Sequence, residues 1–185
     1  PLFIEANRIA PFRPRATDVN VVLDLMIHDI DLIMALVKSP LISVDAVGAA
    51  VVSEGEDIVS ARLGFASGCG ANLTASRVSL KTERTVRIFQ PDAYLVADLA
   101  QRKVTSRRKG EGEMFPGIPN IETEEFSFDE ADALAHEISD FVRCVRGKET
   151  PAVTGEAGRD AVQAALMITD SLQAHRRLLE RSGVI

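Results

Sequence analysis

Residues 21–37, VVLDLMIHDIDLIMALV, constrain the fold most, because this run is apolar on almost every side. Its only polar residues are Asp24, His28, Asp29 and Asp31. At 3.6 residues per turn, Asp24, His28 and Asp31 form one narrow stripe of a helix, and Asp29 points elsewhere. A helix that is apolar on its other sides lies in a core, where a carboxylate is costly unless it is paired or faces a polar cavity. We therefore predict a buried helix whose polar stripe has a specific purpose.

Two interpretations of the stripe are open. In the structural interpretation, Asp24 and His28 satisfy each other or cap nearby backbone groups, as most buried polar side chains do. In the functional interpretation, a carboxylate one turn before an imidazole fixes its tautomer and raises its basicity, which produces a general base that works near neutral pH. The spacing alone does not decide between them.

The composition describes an ordinary globular chain. The chain of 185 residues is long enough to form a single domain with a full core, which we expect to span residues 1–185. A net charge of −6 and a pI near 5.1 disfavour nucleic acid and anionic membranes as partners. The apolar run carries four ionisable groups and is shorter than the ~20 residues that a bilayer requires. Cys69 and Cys144 are far apart without CxxC spacing, which favours a reducing cytoplasm over a disulfide framework or a zinc site.

The pattern along the chain predicts a strand, the central helix, a series of strands and two final helices. Thr17 or Asp18 is the expected N-cap of the central helix. Strands are predicted over residues 2–9, 42–52, 58–65, 71–78, 85–90, 93–98 and 121–128, with a short edge strand at 104–107 and a loop over 110–120. Hairpin connections force antiparallel neighbours, and no βαβ alternation is present. The sequence therefore predicts an α+β fold, an open and mainly antiparallel sheet with helices on one face.

The final two segments are typical of amphipathic helices. Asp129 is the expected cap of the first, and Thr154 of the second, which extends from Gly155 to about Glu180. The first helix is expected to bury Leu134, Ile138, Phe141, Val142 and Val145. Small residues in the second, Ala161, Ala164 and Ala165, are expected to let a neighbouring element approach closely.

Two surfaces have predicted roles. The sheet face that carries Asn72, Thr74 and Ser76 among Ala and Val residues is too apolar to remain in water, so a subunit or another domain is expected to cover it. This favours a homodimer or higher homo-oligomer through the sheet face. The basic run of Arg102, Lys103, Arg107, Arg108 and Lys109 could hold a phosphate, but protection of a strand edge is favoured.

Asp24-x-x-x-His28 with Asp31 three residues further, on a helix that precedes an open antiparallel sheet, resembles the C-terminal domain of the glucose–fructose oxidoreductase, inositol dehydrogenase and MocA family. The resemblance extends over essentially the whole chain. It includes the strand Phe3-Ile4-Glu5, the hairpin GFASGCGANLTASR and the ending HEISDFVRC…PAVTGEAGRDAVQAAL. It implies a glyceraldehyde-3-phosphate dehydrogenase-like C-terminal domain.

The resemblance also implies a function. Members of the family bind NAD or NADP on an N-terminal Rossmann domain and oxidise a sugar or cyclitol hydroxyl, or catalyse the reverse reaction. It assigns proton transfer to His28, orientation of the substrate or imidazole to Asp24, and substrate contacts to Arg8 and Asp31. The stretch ASRVSLKTERTVRIFQPDAYLVAD is most similar to bacterial members that act on nucleotide sugars.

The sequence departs from the family pattern in two ways. Val21-Val22 and Met26 stand where the family usually has glycines beside the nicotinamide. The chain also contains no GxGxxG turn and no Glu-Lys-Pro lysine, which the family keeps in the other domain. We therefore expect the Rossmann domain to lie outside this chain, the chain alone to be inactive, and neither cofactor-binding residues nor metal ligands within it.

Two other function classes are alternatives. His28-Asp29 is the adjacent pair that names the HD superfamily of metal-dependent phosphohydrolases, and Asp24 and Asp31 could be further ligands. That superfamily is all-helical and needs more histidines at helical spacings, so it is disfavoured. A non-catalytic assembly domain, in which the sheet forms a dimer and the Asp–His pair is structural, is the other alternative.

Overall fold

The computed structural model describes residues 1–16, 18–147 and 149–184, and a single eight-stranded sheet runs through them. The strands are β1 (Phe3–Ile9), β2 (Leu41–Ala49), β3 (Ile58–Phe65), β4 (Gly70–Ser76), β5 (Glu83–Phe89), β6 (Ala93–Asp98), β7 (Lys103–Phe115) and β8 (Ile118–Ser127). A π-helical turn (Val22–Met26) continues directly into α1 (Ile27–Val37), and α2 (Ala133–Gly147) and α3 (Gly155–Ser182) follow the sheet.

The sheet is open, with the strand order β2-β3-β4-β1-β5-β6-β7-β8. β1 pairs with β4 in parallel, and the other described pairs are antiparallel. The π-turn, α1 and α3 pack on one face of β1, β2 and β4. The predicted α+β class, with an open and mainly antiparallel sheet and helices on one face, is confirmed.

The core forms where the alternating side chains of β3 and β4 meet the helices. The inward positions of β3 and β4 are fully or almost fully buried, as are the facing residues of the central helix and α3 (Val59, Ala61, Leu63, Phe65, Ala71, Leu73, Ala75, Met26, Ile30, Ile33, Ala164, Ile168). Each large aliphatic side chain buried in this way contributes about 1.5–3 kcal/mol. A Cβ on Gly48 would lie 3.0 Å from the Leu172 side chain, so the glycine lets α3 approach β2 closely.

The central helix occupies the predicted residues but differs at its start. Residues 22–26 form a π-helical turn, and Asn20 caps it, because its Oδ1 accepts from the Leu23 N–H at 3.3 Å. The prediction of Asp18 as the cap is therefore wrong, and the alternative, Thr17, lies outside the described residues. The expectation that all residues outside the polar stripe are buried is also wrong, since Leu23 and Leu36 are exposed.

The second half of the sheet is longer than predicted. The predicted loop over residues 110–120 is wrong, because β7 continues to Phe115 and β8 begins at Ile118. β7 is also not an edge strand, since it pairs with β6 on one side and β8 on the other. Edge protection by the basic run is thus wrong. Arg108 lies opposite Glu122 in the register, so the basic strand faces an acidic one.

The face of α2 that was predicted to be buried is exposed. Its large apolar residues are between 38% and 66% exposed (Leu134, Ile138, Phe141, Val142, Val145), whereas Cys144 is buried. Asp132, and not Asp129, caps this helix by accepting from the Ala135 N–H at 3.0 Å. Amphipathic periodicity correctly indicated a helix, but it carries no information on which surface covers the apolar side.

The open face of the sheet is more polar than predicted. The apolar side chains of β4 point towards the helices and are buried (Ala71, Leu73, Ala75). On the opposite face, Asn72 lies in register between Glu5 and Arg62, both of which reach solvent. The alternation of β4 was right, but its apolar residues belong to the covered face.

A buried carboxylate joins three segments around the start of the central helix. Asp57 is fully buried and accepts from the N–H groups of Val51 and Val52 at 2.7 Å, and from Arg77 Nε at 2.8 Å. Arg77 in turn donates to the Ala16 carbonyl at 2.8 Å. Burial raises the pKa of Asp57, but the hydrogen bonds from Val52, Ser53, Arg77 and Val51 outweigh it and hold the pKa well below its usual value.

We expect Asp57→Asn to lower the free energy of unfolding by about 3 kcal/mol at pH 7, because it leaves Arg77 buried without its counter-charge. A carboxylate with a depressed pKa stabilises the fold above its unfolded-state value and loses this effect as the pH falls below ~3.9. The difference between wild type and variant in urea unfolding should therefore shrink in acid. Asp170→Asn, at an exposed position of α3, is the matched control, and an equal loss in both variants would contradict the prediction.

Candidate functional site

One side of the central helix faces solvent and carries the predicted catalytic residues. His28 is exposed, while the Asp24 side chain is 10% exposed. Asp24 lies within the π-helical turn, and His28 follows in the first turn of α1. Single π-turns within α-helices are frequent at functional sites, which makes this position notable. The core residues on the opposite side of the helix hold both side chains on a rigid element.

Asp24 and His28 are not a mutually satisfied pair. Among the described residues, no hydrogen bond joins their side chains, and the nearest cation to Asp24 is Arg15, with Nη1 3.7 Å from Asp24 Oδ1. Arg15 is largely exposed, so this contact is a weak one. Neither side chain hydrogen-bonds to a described backbone group, so neither form of the structural interpretation is supported.

The stripe is divided between two depressions. Asp24 lines one of about 110 Å³, together with the arginines at positions 13, 15, 77 and 84. Asp31 lines a separate cleft of about 590 Å³ between α1 and α3, with Lys38, Asp160 and Met167. Seven residues of helix span ~10 Å, so the two carboxylates share a direction but not their neighbours. His28 lies between them along the helix.

Arg8 is held by Asp29, a residue that the sequence interpretation set aside. Arg8 Nε and Nη2 each donate to one oxygen of Asp29 at 2.8 Å, and the two side chains are 13% and 5% exposed. Nη1 of Arg8 makes no hydrogen bond to the described residues. A usable signal was present, because a carboxylate on the apolar side of a helix requires a buried cation. Three side chains of β1 point inwards, and the last of them is a cation (Ile4, Ala6, Arg8).

The described residues contain no group of three or more His, Cys, Asp and Glu side chains arranged to hold a metal ion. They also offer no cradle for a dinucleotide, because no described strand is followed by a glycine turn and a helix that returns to a parallel neighbour. The eight-stranded sheet contradicts the all-helical phosphohydrolase alternative. In the described ranges, no helix has both the length and the apolarity to cross a membrane.

Comparisons with known proteins identify related sequences and folds. Residues 7–95 match the family model described as GFO/IDH/MocA C-terminal domain. UDP-N-acetylglucosamine 3-dehydrogenase from Acidithiobacillus ferrooxidans is 38% identical over 174 residues, which cover 94% of this chain and 55% of that protein. A solved structure of that enzyme superposes with a TM-score of 0.87 over 95% of this chain and 56% of its own. The chain thus spans about half the length of the relatives that it matches.

More distant structures share the fold alone. Levoglucosan dehydrogenase, solved in complex with NADH, has a TM-score of 0.75 at 14% identity, over 94% of this chain and 57% of that chain. Aldose-aldose oxidoreductase from Caulobacter crescentus has a TM-score of 0.74 at 17% identity, over 93% of this chain and 53% of that chain.

The two aspartates near His28 should differ in their effect on stability. Asp29→Asn removes the counter-charge of a nearly buried arginine, and we expect it to lower the free energy of unfolding by about 3 kcal/mol. Asp24→Asn, on the same helix, breaks only a long contact to an exposed arginine, and we expect a change below ~1 kcal/mol. Urea unfolding at pH 7 compares the two, and equally small effects would show that the Arg8–Asp29 pair does not hold the helix.

Proposed function

Since this chain is a C-terminal domain of the GFO/IDH/MocA family, we propose that it is the substrate domain of an NAD- or NADP-dependent oxidoreductase that acts on a nucleotide-sugar hydroxyl. The observation that carries the proposal is the exposed His28, next to the part-buried Asp24, on a rigid helix with a π-turn. The substrate class rests on the relative named UDP-N-acetylglucosamine 3-dehydrogenase.

His28 is the proposed general base. Oxidation of a hydroxyl removes a proton from oxygen and a hydride from the adjacent carbon. The neutral imidazole of His28 takes the proton, which requires a side chain open to the substrate and free of a fixed internal partner. Its exposure, and the absence of a described hydrogen bond to Asp24, support this role.

The other site residues have proposed positioning roles. Asp24 accepts a hydrogen bond from the substrate, or orients the imidazole once a substrate is bound, because its carboxylate lies one turn before His28. Arg8 contacts the substrate through Nη1, which makes no described hydrogen bond, whereas Nε and Nη2 donate to Asp29. Asp31, one turn after His28, contacts the part of the substrate that reaches the cleft between α1 and α3.

The cofactor is proposed to be held mainly by a separate Rossmann domain, because the described residues form no dinucleotide cradle. When bound, the nicotinamide accepts the hydride. Leu23 and Leu36 are also exposed on the central helix, and exposed apolar side chains suit a contact with another domain. The free cysteines, Cys69 and Cys144, are compatible with the proposed cytoplasmic location.

A second candidate function is assembly. The face of the sheet opposite the helices has no covering element in the described chain, and it mixes charged residues with exposed apolar ones such as Val47 and Ile58. We propose that two copies associate through this face. Assembly through this face does not interfere with catalysis at the central helix. If the Asp24–His28 face is inactive, assembly would be the main role of the domain.

Replacement of His28 by Ala should lower kcat of the intact enzyme by a factor of roughly 10² to 10⁴, because the proton acceptor is lost. In wild type, kcat/KM for oxidation should fall in acid, since a protonated imidazole accepts no proton, and the variant should lose that limb. Asp24→Asn should weaken turnover while the affinity for NAD or NADP remains nearly unchanged.

His136→Ala is the matched control, because His136 is an exposed histidine on α2. It should retain the rate and the pH profile of wild type. Full turnover in a folded His28→Ala enzyme, measured with UDP-N-acetylglucosamine and related nucleotide sugars, would rule out the catalytic assignment.

Self-association is tested at the open sheet face. Val47→Glu should shift the protein towards monomer in sedimentation velocity, because it places a charge in an interface that typically buries on the order of 1,600 Å². Val162→Glu, at a similarly exposed position on α3, should leave the oligomer intact. A monomeric wild type at high concentration would contradict the proposal.

A further inference from the structure

The depression beside Asp24 is lined by arginines from three separate parts of the chain. Arg13 and Arg15 precede the central helix, Arg77 follows β4, and Arg84 lies on β5. We call these four residues the arginine pocket. Thr82 adds a hydroxyl group to the same lining. Charged residues from one exposed segment are usually only a solvated surface, but here three segments converge on one point.

The arginine pocket has a surplus of positive charge. Arg77 is neutralised by Asp57 at 2.8 Å, and Arg15 has only Asp24 within reach, at 3.7 Å. Among the described residues, neither Arg13 nor Arg84 has an ion-pair partner. Four guanidinium groups thus face two carboxylates, although the chain as a whole has a net charge of −6. A local positive field on an acidic protein attracts an anionic ligand.

The register of the sheet provides an independent reason to expect an anion. Arg84 lies directly opposite Arg8 across β1 and β5, and like charges at such positions destabilise a sheet. Asp29 neutralises Arg8 through two hydrogen bonds of 2.8 Å, whereas Arg84 has no described acidic partner. Because Asp29 offsets the charge of Arg8, Arg84 is the member of this pair whose charge has no described acidic partner, and a bound anion would supply one.

The guanidinium groups and the small volume of the arginine pocket favour a phosphate group as the ligand. Guanidinium groups bind phosphate oxygens through paired, charge-assisted hydrogen bonds. A volume of about 110 Å³ is smaller than the ~300 Å³ or more of a pocket for a whole small molecule, so only part of a ligand enters. His28 lies four residues, or ~6 Å, along the helix from Asp24, which leaves room for a sugar between the phosphate and the base.

We propose that the arginine pocket binds the diphosphate of the nucleotide sugar and so selects substrates with a nucleoside diphosphate over free sugars. This inference rests on the proposed function for its substrate class. Arg13 and Arg84 supply the uncompensated charge, and Arg15 moves from Asp24 to the phosphate when the ligand binds, which frees Asp24 for the sugar.

Titration of the intact enzyme with UDP and with uridine tests the proposal. Wild type should bind UDP more tightly than uridine. Arg13→Gln and Arg84→Gln should each raise the Kd for UDP roughly 10-fold, the scale of one hydrogen bond to a charged group, with uridine binding unchanged. Arg84→Lys should recover part of the affinity, because it keeps the charge but loses the paired geometry. KM for the nucleotide sugar should rise in parallel, with kcat nearly constant.

Arg177→Gln is the control, since Arg177 is exposed on α3 and does not line the pocket. Circular dichroism verifies that each variant is folded. Unchanged UDP affinity in a folded Arg13→Gln/Arg84→Gln double variant would overturn this inference, and so would wild type that does not bind UDP. Loss of turnover in His28→Ala would then leave the proposed function standing. Conversely, arginine-dependent UDP binding with full turnover in His28→Ala would reject the catalytic assignment alone.

Discussion

The ion pair between Arg8 and Asp29 determines which side of the central helix faces the sheet. Both oxygens of Asp29 accept from Arg8 at 2.8 Å in a nearly buried position, where an unpaired carboxylate would be strongly unfavourable. Consecutive residues in an α-helix differ by ~100° in direction. Asp29 points inwards to Arg8 and Ile30 on its other side packs into the core, so His28 is turned towards solvent. The exposure of the proposed base therefore follows from the buried pair and the core contact together.

A second buried pair connects the scaffold to the arginine pocket. Asp57 holds Arg77, and Arg77 holds the Ala16 carbonyl in the segment that carries Arg13 and Arg15. The same guanidinium that stabilises the loop after β2 also lines the depression beside Asp24. A fully buried carboxylate therefore helps to position the segment that carries these exposed arginines. Because Asp57 already holds Arg77 in place, Arg77 would need no rearrangement to face a bound anion, unlike Arg15.

The fold class and most of the elements follow from the sequence, because the core strands alternate regularly. β3 and β6 begin and end at the predicted residues, and Thr154 caps α3 by accepting from the Ala157 N–H at 3.3 Å. The stretch that joins β7 to β8 was harder to predict. Residues 110–120 contain three glycines and two prolines, which indicate a loop locally, yet pairing between β7 and β8 extends both strands into this stretch.

By itself, the sequence determined the α+β class, the central helix and the two residues on it, Asp24 and His28, that the proposed chemistry requires. Helical spacing encodes the direction of a side chain, so a shared stripe can be read without coordinates. The tertiary structure alone decided which neighbours each residue meets. It joined Arg8 to Asp29, separated Asp24 from Asp31, and brought Arg13 and Arg84 together. Such contacts depend on strand register and helix placement, which link residues far apart in the chain and leave no local periodic signal.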